Sequence, residues 1–174
     1  MDCPLTPLDG RYLNKTKELR TYFSEKAFFK YRYLVEIKYF IGLIDVLPEL
    51  KLLKGKTTEI NKLLEIYENF NEQDYENIKK HEANTNHDIK ALEYFIQDKF
   101  KELKLDEYIT FIHFGITSQD INTTANIYSL VEGLNNIIIP EIQNIINTLN
   151  NLSNDMKNSI MLSHTHGQAA VPTT

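Results

Sequence analysis

The chain has 174 residues, 42% apolar, 25% charged and 11% aromatic. At roughly 100–200 residues per domain this is one domain or one and a fraction, with enough apolar mass for a buried core. The net charge of -5, from 19 basic and 24 acidic residues, excludes a general nucleic-acid or membrane-surface binder, which needs a basic excess.

A single cysteine, Cys3, allows no internal disulfide and no cysteine-built metal cage, and it fits a reduced, cytoplasmic home. Residues 1–7 lack the charged start and apolar run of a targeting segment, so no signal or transit peptide is expected. Apolar runs are too short for a transmembrane helix. The six glycines are too scattered for a dinucleotide fingerprint or a P-loop. A phosphate site here would have to use arginine, hydroxyls or helix N-termini. Arginine is scarce (Arg11, Arg20 and Arg32), which reads as a compositional bias of the source genome.

Residues 1–22 read as irregular, broken by Pro4, Pro7 and Gly10. Ser24 is a good N-cap for a helix to Leu47, striped by Phe28, Leu34, Ile37, Phe40, Ile41 and Ile44 and stopped by Pro48. Thr57 or Thr58 caps a second helix through about Phe70, and a third runs from Asp74 to Glu82. A polar break at 83–86 precedes a fourth helix from His87 to Leu103. Residues 104–117 read as irregular or as a short helix. Thr117 to Asp120 fits a capping box.

From Ile121 to Met156 apolar residues recur on steps of three, four or seven. A helix of that length would span roughly 54 Å. Pro140 interrupts it and is expected to kink it. Such a stripe finds no partner in a small domain, so it reads as one stave of a long, intermolecular bundle. No strand-like alternation stands out. Pro172-Thr173-Thr174 reads as the start of another helix, which suggests a fragment of a longer protein.

Four polar clusters can carry chemistry. In Asp9-Gly10-Arg11-Tyr12, a guanidinium fork and a phenol can hold an anion, although a plain surface turn would look the same. Thr85-Asn86-His87-Asp88 sits at a helix start, where free N–H groups face outward; a capping box from Thr85 to Asp88 is the simpler alternative. His113 to Asn122 carries two hydroxyls, Thr117 and Ser118, at another helix start, and capping alone explains only one of them. In Ser163-His164-Thr165-His166-Gly167-Gln168 a metal reading fails for want of further ligands at metal spacing, and a histidine acting as general acid or base fits better. These residues alone leave the function open, with an anion-binding enzyme slightly ahead.

Taken in order, the clusters resemble the adenylosuccinate lyases of the aspartase/fumarase superfamily, from Pro4 to Thr174. The carrying stretches are Pro7-Leu8-Asp9-Gly10-Arg11-Tyr12, Phe23-Ser24-Glu25, Thr85-Asn86-His87-Asp88-Ile89-Lys90-Ala91-Leu92-Glu93, Phe111 to Asn122, and Met161 to Gln168. Thr-Ser-x-Asp and Thr-His-Gly-Gln occur across the superfamily. Asp-Gly-Arg-Tyr together with Asn-His-Asp-x-Lys-Ala-x-Glu is more specific. Gln119, His164 and Ala169-Ala170-Val171 depart from the usual pattern, and the His-Gly-Gln context selects His166 over His164.

The resemblance implies an all-α fold, with an N-terminal helical domain at 1–118 and the first long helix of a central bundle in 119–174. It implies β-elimination of fumarate from adenylosuccinate, giving AMP, and from the succinyl-carboxamide ribotide of purine synthesis. No metal or organic cofactor is involved, and the expected assembly is a homotetramer with active sites shared between subunits. Position by position, Arg11 and Tyr12 match the phosphate grip. Asn86, His87 and Asp88 match substrate contacts, and Thr117 and Ser118 match a hydroxyl pair that binds a succinyl carboxylate. His166 matches the general acid. The family's catalytic serine lies downstream, so these 174 residues alone are expected not to turn over. The competing readings are another superfamily enzyme, such as argininosuccinate lyase or a lactonising cycloisomerase, and a non-catalytic helical oligomerisation module.

Overall fold

The structure, a computed structural model, describes residues 4–174. Cys3 lies outside the described residues. The chain forms two compact units that meet in sequence at Gly133/Leu134.

The first unit is helical from an early point. Where irregular chain was expected, α1 (Leu13–Thr16) and α2 (Arg20–Phe23) are joined by a 3₁₀ turn. Thr16 stabilises this start locally, because its hydroxyl reaches the carbonyls of Leu8 and Tyr12, each at 3.1 Å.

The third helix, α3 (Glu25–Val46), begins as expected at Ser24, whose extended backbone lets Oγ accept the Ala27 N–H at 3.1 Å. It ends at Leu47, held extended by the following Pro48. A 3₁₀ stretch, Pro48–Gly55, leads to α4 (Thr57–Glu68). Neither Thr57 nor Thr58 caps that helix; Lys56 holds the cap position and both threonines are already helical. α5 (Glu72–Thr85) starts earlier than Asp74, because Asn71 and Asp74 form a reciprocal capping box. α6 (Asp88–Glu102), a 3₁₀ turn (Asp106–Phe111) and α7 (Ser118–Gly133) complete the unit.

The core is built around α3. Phe29, Tyr33, Ile37, Phe40 and Ile44 bury against Leu63, Ile78, Leu92, Phe95 and Phe100 from α4, α5 and α6. Each such side chain gains about 1.5–3 kcal/mol on leaving water. On another side of α3, Ala27 and Tyr31 meet Ala125 of α7. The expected single stripe is therefore only part of what α3 buries: Phe29 and Tyr33 are fully enclosed, and so are the charged Arg32 and Glu36.

The second unit opens with a π-helical turn, Leu134–Ile138, followed by α8 (Ile139–Met156). The helix expected across 121–156, with an interruption and kink at Pro140, is thus two helices separated by a π turn that lies just before Pro140. Pro140 has no N–H to give to the preceding turn, and a wider turn accommodates its ring. Every apolar side chain of α8 is exposed, with values of 43–59% from Ile139 to Met156.

An antiparallel hairpin follows, β1 (Met161–Thr165) and β2 (Gln168–Thr173), with Thr165 opposite Gln168 and Leu162 opposite Pro172. It replaces the helix start expected at Pro172–Thr174. The two residues of its turn, His166 (φ 51°) and Gly167 (φ 76°), are both left-handed, as a tight type I′ hairpin turn requires. The fold is otherwise all-α among the described residues, and no helix among them is long and apolar enough to cross a membrane.

Candidate active site

Two of the predicted clusters sit at helix starts of the first unit. At the α5–α6 corner, Asn86 adopts the left-handed conformation (φ 49°, ψ 35°) that ends α5, and its N–H reaches the Glu82 carbonyl at 2.8 Å. Asparagine tolerates this backbone better than most residues. His87 then turns extended and caps α6, its Nδ1 accepting the Lys90 N–H at 3.3 Å. The Thr85–Asp88 capping box does not form. Thr85 bonds the backbone of His87 instead, and Asp88 turns inward. A ring nitrogen that accepts a backbone N–H is unprotonated, so neutral His87 carries its proton on Nε2.

The loop before α7 is tightly folded. His113 (φ 56°) and Gly115 (φ 73°) are left-handed. The His113 ring bonds Glu36 of α3, Nδ1 to Oε1 at 2.5 Å, and Tyr39 of α3 donates to the Phe114 carbonyl at 2.8 Å. Thr117 gives both its N–H and its hydroxyl proton to Asp120 Oδ2, at 2.8 and 3.0 Å. Those two bonds hold the Asp120 carboxyl below its ordinary range. This is one half of the expected capping box, with Asp120 as acceptor. The Ser118 hydroxyl makes no hydrogen bond among the described residues, so of the two hydroxyls one is committed to the cap and one is free.

Arg32 joins these two starts from beneath. Its Nη2 meets Asp88 Oδ2 at 2.8 Å, and its Nε donates to Asn122 Oδ1, one helical turn beyond Ser118, at 2.8 Å. The guanidinium lies 3.7 Å from the centre of the Phe28 ring. Burial pulls its pKa down, and Asp88 opposes that. One turn further along α3, burial pushes the Glu36 carboxyl up, the His113 contact opposes it, and nearby Glu93 reinforces it. Glu36 Oε2 has no hydrogen-bond partner among the described residues.

Arg11 and Tyr12 stand apart. They close a turn in which the Tyr12 N–H reaches the Pro7 carbonyl at 2.9 Å, and the Arg11 guanidinium lies 5.5 Å from its neighbour's ring. Pro4, Thr6, Gly10, Arg11 and Tyr12 line a hollow of about 490 Å³. No hydrogen bond or ion pair among the described residues ties Arg11 or Tyr12 to the helix-start clusters. His166 occupies the exposed tip of the hairpin in the second unit.

A further hollow of about 530 Å³, beside the start of α3, contains none of the predicted residues. Its charges are already paired in part: Lys26 with Glu72, and Glu25 with Tyr75 and Lys79.

Sequence reasoning missed Arg32 and Glu36 as parts of this arrangement, and it placed Asn122 in the third cluster without giving it a role. The available signal was an arginine and a glutamate four residues apart in a helix otherwise rich in aromatic and aliphatic residues.

Residues 10–174 match the family model described as Lyase, so the chain belongs to that lyase family. It is 49% identical to an adenylosuccinate lyase of Dictyostelium discoideum, over 98% of this chain and 37% of that protein. It is 44% identical to the adenylosuccinate lyases of Legionella pneumophila subsp. pneumophila and of Buchnera aphidicola subsp. Schizaphis graminum, over 98% of this chain and 38% of each. The chain thus spans 37–38% of the length of these curated relatives. Its fold is similar to that of a solved β-carboxy-cis,cis-muconate cycloisomerase from Acinetobacter calcoaceticus, with a TM-score of 0.63 at 19% identity, over 90% of this chain and 35% of that one.

Proposed function

We propose that this chain supplies part of an adenylosuccinate lyase, which eliminates fumarate from adenylosuccinate to leave AMP and from the succinyl-carboxamide ribotide to leave its carboxamide. One observation carries the proposal: in a chain of this family, one buried arginine bonds Asp88 at the start of α6 and Asn122, one turn after Ser118, in α7.

A base takes a proton from the carbon beside a succinyl carboxylate, and negative charge builds on that carboxylate. The carbon–nitrogen bond breaks, fumarate leaves, and an acid protonates the departing nitrogen. Such a reaction needs donors aimed where charge develops. Ser118, at the start of α7, offers a free hydroxyl beside unpaired helix N–H groups. His87 offers its Nε2–H at the start of α6, with Asn86 and Asp88 beside it. Thr117 shapes the same turn through Asp120. Arg11 and Tyr12 suit the nucleotide phosphate, and His166 serves as the acid. The base comes from outside these 174 residues.

Residues 1–118 then form the N-terminal domain and 119–174 open a central bundle in a cytoplasmic homotetramer whose sites draw on more than one subunit. The bare apolar face of α8 supports that assembly, since an exposed seam of this kind is a liability unless covered.

The test is fumarate release by the full product of this gene, with adenylosuccinate and argininosuccinate compared. Release from adenylosuccinate is expected, falling by about 10²–10⁴-fold in His166→Ala, and the isolated 174-residue piece is expected to show no sustained turnover. Release from argininosuccinate alone refutes the phosphate grip. Release from neither favours a non-catalytic oligomerisation module.

A further inference from the structure

We propose that Arg32 is a positioning residue that sets the spacing between the start of α6 and the start of α7, and so between the polar groups that these two helix starts offer to one substrate. This rests on the lyase function proposed above, but its structural part can be tested separately.

Asp88 and Asn122 make no hydrogen bond to each other among the described residues. Each bonds a different nitrogen of the same guanidinium, at the same 2.8 Å. The fork is rigid and planar, so fixing one bond constrains the other. Phe28 restrains the plane from its face, and the Arg32 side chain is only 8% exposed, leaving little room to swing away. The helix that carries it is enclosed on several sides, so the fork has a firm base. Asp88 is the first residue of α6, and Asn122 follows Ser118 by one turn of α7. A shift of the fork therefore moves both helix starts together.

Lysine cannot substitute, because a single ammonium has neither the fixed fork nor the planar stacking surface. Displacing substrate-gripping groups by about 1 Å can cost about 100-fold in rate.

The experiment uses the full gene product and follows amide hydrogen exchange and fumarate release in Arg32→Lys, Arg32→Met and Asn122→Ala. Asn122→Ala is expected to speed exchange by about tenfold in the first turn of α6, to which Asn122 makes no hydrogen bond among the described residues, while amides in the core of α4 and α5 keep their rates. In the Arg32→Met background the same change is expected to have no further effect on α6. Both Arg32 variants are expected to lose about 100-fold in kcat/KM.

If Asn122→Ala leaves the start of α6 unchanged, the proposal is overturned. It is also overturned if Arg32→Lys keeps wild-type kcat/KM, or if Arg32→Met loosens every helix of the first unit equally. Should Arg32→Met fail to fold, Asn122→Ala in the parent protein still decides. If the parent releases no fumarate but the coupled exchange is seen, the lyase function falls and the positioning role stands.

Discussion

Removing His113 should be far more damaging than neutralising its partner Glu36. The two share a contact of 2.5 Å, with the Glu36 side chain 1% and that of His113 14% exposed. Glu36 Oε2 has no hydrogen-bond partner among the described residues, and Glu93 adds like charge, itself tied to Lys90 at 2.6 Å. In His113→Ala the Oε1 of this buried carboxyl loses its imidazole partner, beside an Oε2 that already lacks one among the described residues. Breaking a buried pair from one side costs about 3–5 kcal/mol. Protonation of Glu36 caps that cost at low pH, so about 3 kcal/mol is expected near neutrality. The left-handed backbone at 113 suits histidine better than alanine, so it does not offset that cost. Glu36→Gln keeps the volume, lets an amide oxygen accept from the imidazole and removes the cost of burying a charge. Its net effect should be within about 1 kcal/mol.

The pH dependence follows from the same displacement. Burial raises the Glu36 carboxyl, so the native state holds that proton more tightly than the unfolded chain. Its favourable contribution is full below the ordinary carboxylate range and is lost as pH rises through the folded value. The cost of His113→Ala should therefore grow from pH 4.5 to pH 7.5, while Glu36→Gln flattens the profile. Urea unfolding of the gene product, followed by far-UV circular dichroism at one protein concentration, measures both. Equal losses in the two variants, or a His113→Ala cost independent of pH, would sink this account.

Two further outcomes follow from contacts of α3. Tyr31→Phe removes a 2.6 Å bond from the phenol to Glu132 Oε2, which ties α3 to α7; since Glu132 keeps access to water, a loss of about 1 kcal/mol is expected in the same urea assay. Glu25 is held below its ordinary value of 4.5 by Tyr75 and Lys79. Its contribution is thus present above that value and lost as pH falls through the depressed one, and Tyr75→Phe should weaken the acid-side decline of the urea midpoint.

Caps and breakers were the most legible features. Ser24 and Pro48 bound α3 because their effects are local: a hydroxyl reaching an N–H three residues on, and a ring that forbids helix before it. The four polar clusters were legible for the same reason, as they coincide with turns and helix starts. What lay outside reach was set by tertiary packing. Periodicity assigns one face to a helix, but α3 is enclosed on several, so Phe29 and Tyr33 fell off the stripe and Arg32 stood out only as a scarce residue type. Thr57 and Thr58 had suitable chemistry for a cap and lost to a chain that had already turned helical at Thr57. The hairpin after Ile160 escaped because its strands are short, one is bulged, and its turn uses His-Gly where Asn-Gly is the stronger signal.

The helix starts of the candidate site also explain how polar side chains can be held still and yet remain available. A cap residue is fixed by the backbone bond it makes, and any hydrogen-bonding capacity left over then points in a defined direction. His87 uses Nδ1 on the Lys90 N–H, and this fixes its tautomer as well as its ring. Thr117 gives its proton to Asp120, which leaves the neighbouring Ser118 hydroxyl as the free donor of that turn. Asp88 gives one oxygen to the Ile89 N–H and the other to Arg32.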